Sequence, residues 1–533
     1  MSSFYKRVAV CYLLVVVLLF VCVARVAVVA TTPKYSQAAE SERSRKITFG
    51  YRRGTIFDCN MERLTNDRTK TMAVIFNTPQ AVAALYNYFP VDEIPLITEE
   101  IRKNGFALRE LSRSVGTEGI YCFEVTVNLD DHTLAKHLIG YTDDENKGVC
   151  GLQLAYNDIL YSDKTSSVTF TVDGRGQLLE GEAPKTDSGY SVENSGIMLT
   201  LDKDVQRIAE QKALGISRGA IVITEVKSGK IRAMVSRPDF LLSNLGEALG
   251  DPDLPLFNRA LSTYNVGSVF KPCVAAAGIE AGVAQQTDCL GYTNVDGLSF
   301  ACHKTSGHGL LGLSDALKFS CNSYFYTYVQ AVGGGRVLDM ARKAGFEGAI
   351  SLAEGIVCGK GNLGDEQTLL SSKRALANLS IGQGSMLLSP VALTNLYMAI
   401  AGDGSYRTPT LIEGRVKGGK LAEAEPAAAR VDVMSKYTAD MLKTMLSTVL
   451  EDEGTGHSGR PTLTTAAGKT GTAQTGIVKD GKKVTNSWFC GFFPLEDPKY
   501  AVTVLSENSS SGCGKVFADI ADAITLLEMK PSE

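Results

Sequence analysis

The sequence predicts an α+β protein: an antiparallel sheet flanked by helices, preceded by a mixed, strand-rich domain and by one N-terminal transmembrane helix. Three observations predict it. Strand-like stretches at about Thr470 to Val478, Val484 to Phe493 and Tyr500 to Leu505 are separated by the turn signals Asp480-Gly481 and Asp497-Pro498. A helical pattern through Phe517, Ile520, Ile524 and Leu527 follows, so an antiparallel meander is closed by a helix. Val8 to Ala24 is an uncharged apolar run of 17 residues, long enough to enter a bilayer. The chain has 533 residues, beyond the roughly 250 to 300 at which one hydrophobic core stops growing, so at least two domains are expected.

Lys6 and Arg7 precede the apolar run, and Val-Ala-Val-Val-Ala continues it past Arg25 to Ala30. Basic residues before a span place the N-terminus in the cytoplasm and the rest outside the cell. The rival reading is a cleaved signal peptide with Val28-Val29-Ala30 as its cleavage site. A cleavable apolar region is about 7 to 15 residues, shorter than this one. Residues 1–30 therefore read as a cytoplasmic tail and anchor, and polar residues 31–46 as a linker. Residues 47–195 form a first domain with strands at Cys122 to Val127 and Ser167 to Val172 and a turn at Asp173-Gly174. From residue 196 to 533 runs a second domain. It opens with an amphipathic helix from about Leu199 to Leu214 and a hairpin of Ala220 to Thr224 with Ile231 to Ser236, and has a helix-rich middle from Gly267 to about Gly402.

Composition excludes several classes. With 44% hydrophobic and 21% charged residues and 16 Pro, the chain is globular rather than disordered or collagenous. Three of its 54 basic and none of its 58 acidic residues lie in the first 30, which leaves the body at net −7. Such a body is a poor nucleic-acid binder. Ten of the 12 cysteines lie beyond residue 30 and show no CxxC spacing. Cys289 and Cys302 flank Asn294-Val-Asp-Gly297; a four-residue hairpin loop there sets 293 opposite 298, and so 289 opposite 302. A disulfide between them stays open. Zinc ligation by Cys289, Cys302, His303 and His308 is set aside because the spacing matches no common zinc module.

Several motifs are decoys. Gly359-Lys-Gly361-Asn-Leu-Gly364 and Gly454-Thr-Gly456-His-Ser-Gly459 fit a dinucleotide fingerprint, but neither follows a predicted strand. Gly468-Lys469-Thr470 lacks the first glycine of a phosphate loop, since Leu463 stands there. Gly215-Ile-Ser217-Arg-Gly219 sits between a helix and a strand, the reverse of a nucleophile elbow. None of the five histidines (132, 137, 303, 308 and 457) stands in a context that suggests a Ser-His-Asp site.

What remains is a serine activated by lysine. Ser268-Val-Phe-Lys271 puts a hydroxyl and an amine at i and i+3 on one helical face. Pro272 restricts the start of that helix to about residue 267 or 268, so Ser268 sits where free N–H groups favour developing negative charge. Ser320-Cys-Asn322 follows in a helical stretch, and Lys469-Thr-Gly471-Thr472 begins a strand. In this order and context the three are the S-x-x-K, S-x-N and K-T-G signatures of penicillin-binding proteins and class A β-lactamases.

At this point the chain resembles a class B penicillin-binding protein over nearly its whole length. Asn258-Arg-Ala, Tyr264-Asn-Val-Gly-Ser-Val-Phe-Lys-Pro272, His308-Gly309, Ile381-Gly-Gln-Gly384, Thr472-Ala-Gln474 and Trp488-Phe-Cys-Gly491 carry the resemblance, with Val266 where proline is usual. Arg53-Gly-Thr-Ile-Phe-Asp58, His137-Leu-Ile-Gly-Tyr141 and Gly151-Leu152 resemble the family's N-terminal pedestal, with Cys59, Met61 and Gln153 at positions usually Arg, Gly and Glu.

The resemblance implies a β-lactamase/transpeptidase-like fold and a D,D-transpeptidase that cross-links peptidoglycan stem peptides and is acylated by β-lactams. Ser268 would attack the carbonyl between two D-alanines, and Lys271 would take its proton. Ser320 would relay a proton to the leaving amine, Asn322 would hold the substrate amide, and Lys469, Thr470, Gly471 and Thr472 would bind the terminal carboxylate. Backbone N–H groups of Ser268 and Thr472 would form the oxyanion hole. No cofactor or metal is implied. A membrane glycosyltransferase and elongation or division proteins would be partners.

The rival functions are a D,D-carboxypeptidase or β-lactamase-type hydrolase, and a non-catalytic β-lactam sensor or division scaffold. No E-x-x-L-N loop is found, the cytoplasmic piece is only about seven residues, and every catalytic residue is present. Trp488 reads as core packing rather than substrate contact. Gly382 and Gly384 read either as turn residues or as shaping the cleft.

Overall fold

The computed structural model describes residues 2–32, 43–173, 178–179, 181–187, 190–479, 481–509 and 512–530. The turn residues Gly174 and Asp480 and most of the linker lie outside them. The chain divides into two compact units, the first formed by residues 1–52, 68–127 and 163–190 and the second by 53–67, 128–162 and 191–533.

The first unit contains the helix Ser2–Thr31, which is long and apolar enough to cross a membrane and is this chain's membrane anchor. Its central strand, Arg68–Phe76, pairs antiparallel with Phe106–Leu111 on one side and Ile120–Val127 on the other. Strand alternation divides its side chains between two apolar clusters. Ala73 and Ile75 pack with Leu85, Ile97 and Ile101 of the helices Pro79–Tyr88 and Ile94–Asn104. Val74 and Phe76 pack with Val168 and Phe170, the Phe76 and Phe170 rings meeting edge to face at 4.9 Å. Ser44–Tyr51 pairs with Thr165–Thr171, which pairs in turn with Lys185–Asp187.

The second unit is built on a five-stranded antiparallel sheet. Its strands are β1 (Gly219–Glu225), β2 (Ile231–Arg237), β3 (Ala467–Lys479), β4 (Lys482–Phe493) and β5 (Tyr500–Ser506), in the spatial order β2-β1-β5-β4-β3. The expected hairpin and meander are both present, so β3, which carries the Lys469 motif, is an edge strand. Helices cover both faces. On one lie α1 (Lys203–Lys212) and the C-terminal helix Cys513–Met529, where the Phe489 and Phe517 rings meet at a tilt with their centres 4.6 Å apart. Asp202 caps α1 by accepting from the N–H groups of Asp204 and Val205, so the helix starts after the Leu199-Thr-Leu segment. The other face holds α4 (Pro390–Ala401), and α2 (Lys271–Glu280) and α3 (Asn322–Val332) pack against each other among the helices of this unit. Every residue of α4 is buried, and Thr394 donates to Thr503 of β5 at 2.8 Å.

Two local expectations are corrected. The stretch around Ser320 is not continuous helix: Leu313–Lys318 ends, Ser320 takes φ +53°, and α3 begins at Asn322. The hairpin after Cys289 turns on two residues rather than four, because Asp296 and Gly297 both adopt positive φ, the conformation that such a turn requires. Thr293 therefore pairs with Phe300, while Cys289 pairs with Gly309 on another strand. Cys289 and Cys302 are not joined, and all twelve cysteines are free.

Candidate active site

Ser268 lies in a 3-10 turn, Gly267–Phe270, that runs directly into α2. The turn is shaped by close backbone approaches from two sides. Gly267 has φ +64°, and a Cβ there would come within 2.5 Å of the Thr472 carbonyl oxygen. A Cβ on Gly382 would stand 2.0 Å from the Gly267 carbonyl oxygen, whereas one on Gly384 would meet nothing nearer than 3.9 Å. Gly267 N–H donates to Gly382 O at 2.9 Å. Gly382 thus shapes the cleft, and Gly384 is a turn glycine. Trp488 is 1% exposed and donates its indole N–H to Asn265 O at 2.9 Å, fixing β4 to the segment before the nucleophile; this is the packing role expected of it.

Lys271 is fully buried. Its Nζ donates to Ser320 O at 2.7 Å, Ser320 Oγ at 3.2 Å and Asn322 Oδ1 at 2.8 Å, and stands 5.4 Å from the centre of the Phe325 ring. Burial brings its pKa down to about 7, against a smaller opposing effect of the Cys321 and Cys302 thiols. A neutral amine is therefore accessible near neutral pH, which a general base requires. Three acceptors also consume the three donors of the charged form, so the proton can be held as well as taken.

Lys469 is also fully buried; its Nζ donates to Thr470 O at 3.2 Å and Thr470 Oγ1 at 3.4 Å. Burial, and secondarily the charge of Lys271, hold its pKa well below the usual lysine range. Strand alternation leaves Thr472 exposed and Thr470 half-buried while Lys469 and Gly471 point inward. The structure thus gathers the turn of Ser268, Lys271, Ser320 and Asn322, and the edge strand of Lys469, Thr470, Gly471 and Thr472, in one unit.

Sequence reasoning grouped Cys289, Cys302 and His308 with His303 and missed Cys321. Cys289, Cys302, His308 and Cys321 bring their sulfur and ring nitrogen atoms within 4.8 Å of one another beside the Ser320 motif. The signal was Cys321 itself, inside that motif, but its partners come from separate segments.

Comparison with known proteins agrees with this geometry. The family described as penicillin binding protein transpeptidase domain matches residues 219–526. The stage V sporulation protein D of Bacillus subtilis is 28% identical, covering 93% of this chain and 82% of its own length. The peptidoglycan D,D-transpeptidase MrdA of Acinetobacter baumannii is 26% identical over 68% of this chain and 58% of its own. Among solved structures, penicillin binding protein 3 of Mycobacterium tuberculosis complexed with aztreonam matches with TM-score 0.65 and 22% identity, covering 92% of this chain and 98% of its own. The PBP2 of Helicobacter pylori matches with TM-score 0.67 and 21% identity, covering 91% and 100%. This chain belongs to the penicillin-binding protein transpeptidase family, in its class B branch.

Proposed function

We propose that this protein is the acyl-serine D,D-transpeptidase of peptidoglycan stem peptides, anchored with its N-terminus in the cytoplasm and its second unit outside the cell. The observation that carries the reading is the buried Lys271, poised near pKa 7 three residues after Ser268 and bonded to both residues of the Ser320-Asn322 motif. Ser268 Oγ attacks the carbonyl between the terminal D-alanines, and its proton passes to Lys271. Ser320 Oγ, 3.2 Å from Lys271 Nζ, relays a proton to the departing D-alanine amine. The donor peptide lies along the free edge of β3, where unpaired backbone groups accept an added strand. Lys469, Thr470, Gly471 and Thr472 receive the carboxylate there, and the Ser268 and Thr472 N–H groups stabilise the oxyanion. An amine of a second stem peptide then attacks the acyl-enzyme carbonyl and displaces Ser268, forming the cross-link.

β-Lactams acylate the same serine; aztreonam and ampicillin complexes are solved for the Mycobacterium tuberculosis neighbour. The Helicobacter pylori PBP2 has been solved in complex with MreC, which supports elongation-type scaffold partners here, with a membrane glycosyltransferase supplying the glycan strands. Incubation with a stem-peptide donor and an amine acceptor tests the reading. Cross-linked dimer is expected; release of D-alanine without dimer would make the protein a carboxypeptidase.

A further inference from the structure

Given the transpeptidase function proposed above, on which this rests, we propose that Gln474 and Lys483 form a second anion subsite. It takes a carboxylate that the donor stem peptide carries upstream of its terminal D-alanine pair. β3 and β4 outrun the strand beside them: they stay paired from Ala467 with Phe492 to Lys479 with Lys482, whereas β5 accompanies β4 only between Ser487 and Phe493. Beyond the rung of Thr472 and Ser487 the hairpin therefore continues as a two-stranded arm. Strand alternation sorts its side chains. Thr470, Thr472 and Gln474 share one face of β3, and Thr485, paired with Gln474, puts Lys483 on that face too. The extra residues of the arm are taken up by a bulge on β3 between Gln474 and Val478, where Gly476 has φ +82°, so β4 keeps its alternation. Thr472, Gln474 and Lys483 are all exposed. Lys483 Nζ reaches across to Gln474 Oε1 at 3.4 Å, a long contact to a neutral amide.

The direction of the donor chain brings a carboxylate to this pair. Its terminal carboxylate lies at Lys469 to Thr472, and Ala467 and Gly468 before them are buried. A strand added antiparallel to β3 therefore runs back along the arm, toward Gln474. Strands rise about 3.3 Å per residue, which puts Gln474 about 7 Å beyond Thr472, the span of two donor residues. The second or third residue of a five-residue stem peptide arrives there. A carboxylate only accepts hydrogen bonds, and the pair offers donors: the Gln474 amide nitrogen and the Lys483 ammonium. The arm holds Lys479, Lys482 and Lys483 against one acid, Asp480, which lies outside the described residues. Lys479 and Lys482 stand opposite each other on the other face, so Lys483 is the cation on the face of Thr472. Two stem-peptide groups have the required chemistry: the α-carboxylate of a γ-linked D-glutamate at position two and the free carboxylate of a diaminopimelate at position three. The contact is the same before and during acyl transfer, so it lowers KM and leaves kcat unchanged.

Full-length protein in detergent, supplied with an amine acceptor, is given four soluble pentapeptides. They combine D-glutamate or D-isoglutamine at position two with diaminopimelate or lysine at position three, and D-alanine release is measured. Wild type is expected to show a KM about three- to fivefold lower for the peptides that keep the recognised carboxylate, with equal kcat, and this preference should shrink in about 1 M salt. Whether the loss follows the change at position two or at position three tells the two sources apart. Lys483→Arg is expected to keep the preference, Lys483→Glu to abolish or reverse it, and Lys482→Met, on the opposite face, to leave it as in wild type. Should Lys483→Glu lose turnover of every peptide alike, the wild-type preference and its salt dependence still decide. Equal KM for all four peptides with wild type would overturn the subsite, as would a preference that Lys483→Glu leaves intact or that salt does not touch. Absence of D-alanine release from every peptide would instead overturn the transpeptidase reading itself.

Discussion

Lys271 Nζ donates to the backbone carbonyl of Ser320 at 2.7 Å, tying the first residue of α2 to a turn 49 residues further along the chain. Because the amine is buried, its protonation state is set by that environment rather than by water.

Acylation is therefore expected to rise with pH through about 7, where Lys271 loses its proton, and to level off above it. Lys271→Ala should lose at least about a hundredfold in acylation rate, the usual contribution of a positioned base. The same group shapes stability. Its pKa is lower in the folded chain than the ordinary 10.5, so between those values the unfolded chain holds a proton that the folded chain has released. Stability then increases with pH across the window, by up to about 1.4 kcal/mol per pH unit from this group. Unfolding midpoints of wild type and Lys271→Met against pH should differ in slope there; parallel curves would refute the shift.

Asn322→Asp puts a carboxylate where Oδ1 now accepts from Lys271 at 2.8 Å. An anion that close favours the charged amine and raises its pKa by about 1 to 3 units. The acylation profile should move to higher pH by that amount, with a lower rate at pH 7. An unmoved midpoint would detach Lys271 from the profile.

Gly382→Ala drives a Cβ to 2.0 Å from the Gly267 carbonyl oxygen at a φ of +70°. The nucleophile turn must shift, and penicillin labelling should fall at least tenfold. Gly384→Ala also sits at positive φ but meets only Asn378 Cβ at 3.9 Å. It should cost about 1 to 2 kcal/mol of stability and leave labelling near wild type. Equal losses in both would show that the Gly382 contact is unimportant.

Gln153→Glu should stabilise the protein. Arg53 is fully buried, bonds to Gln153 Oε1 and O and to Asn157 Oδ1, and burial brings its pKa down to about 10. The Gln153 amide nitrogen has no partner among the described residues. A carboxylate removes that orphan donor and pairs the charge, worth about 1 to 3 kcal/mol. With its folded pKa depressed by Arg53, the new carboxylate should give this gain above about pH 4.3 and lose it as pH falls through the folded value. An unchanged or lower melting temperature at pH 7 would contradict it.

The elements of the catalytic sheet were legible because apolar alternation and turn residues mark them locally, as in β4 and β5. The three motifs were legible because each is a short spacing with its own chemistry. Other features depend on tertiary contacts. Ser320 leaves the helix because the turn places its carbonyl on Lys271, which no propensity encodes. The Asp296-Gly297 turn shows how a two-residue change in loop length shifts every cross-strand pair beyond it. Residues 53–67 and 128–162 cluster with the second unit, whereas a reading along the chain places them in the first domain. Cys321 lies 13 to 32 residues beyond His308, Cys302 and Cys289, and only the fold converges them.

The central claim is that Ser268 is the acylated nucleophile. Full-length protein treated with a β-lactam, digested and sequenced by mass spectrometry should carry the adduct on Ser268, and Ser268→Ala should carry none. An adduct on another residue, or equal labelling of Ser268→Ala, would contradict the account.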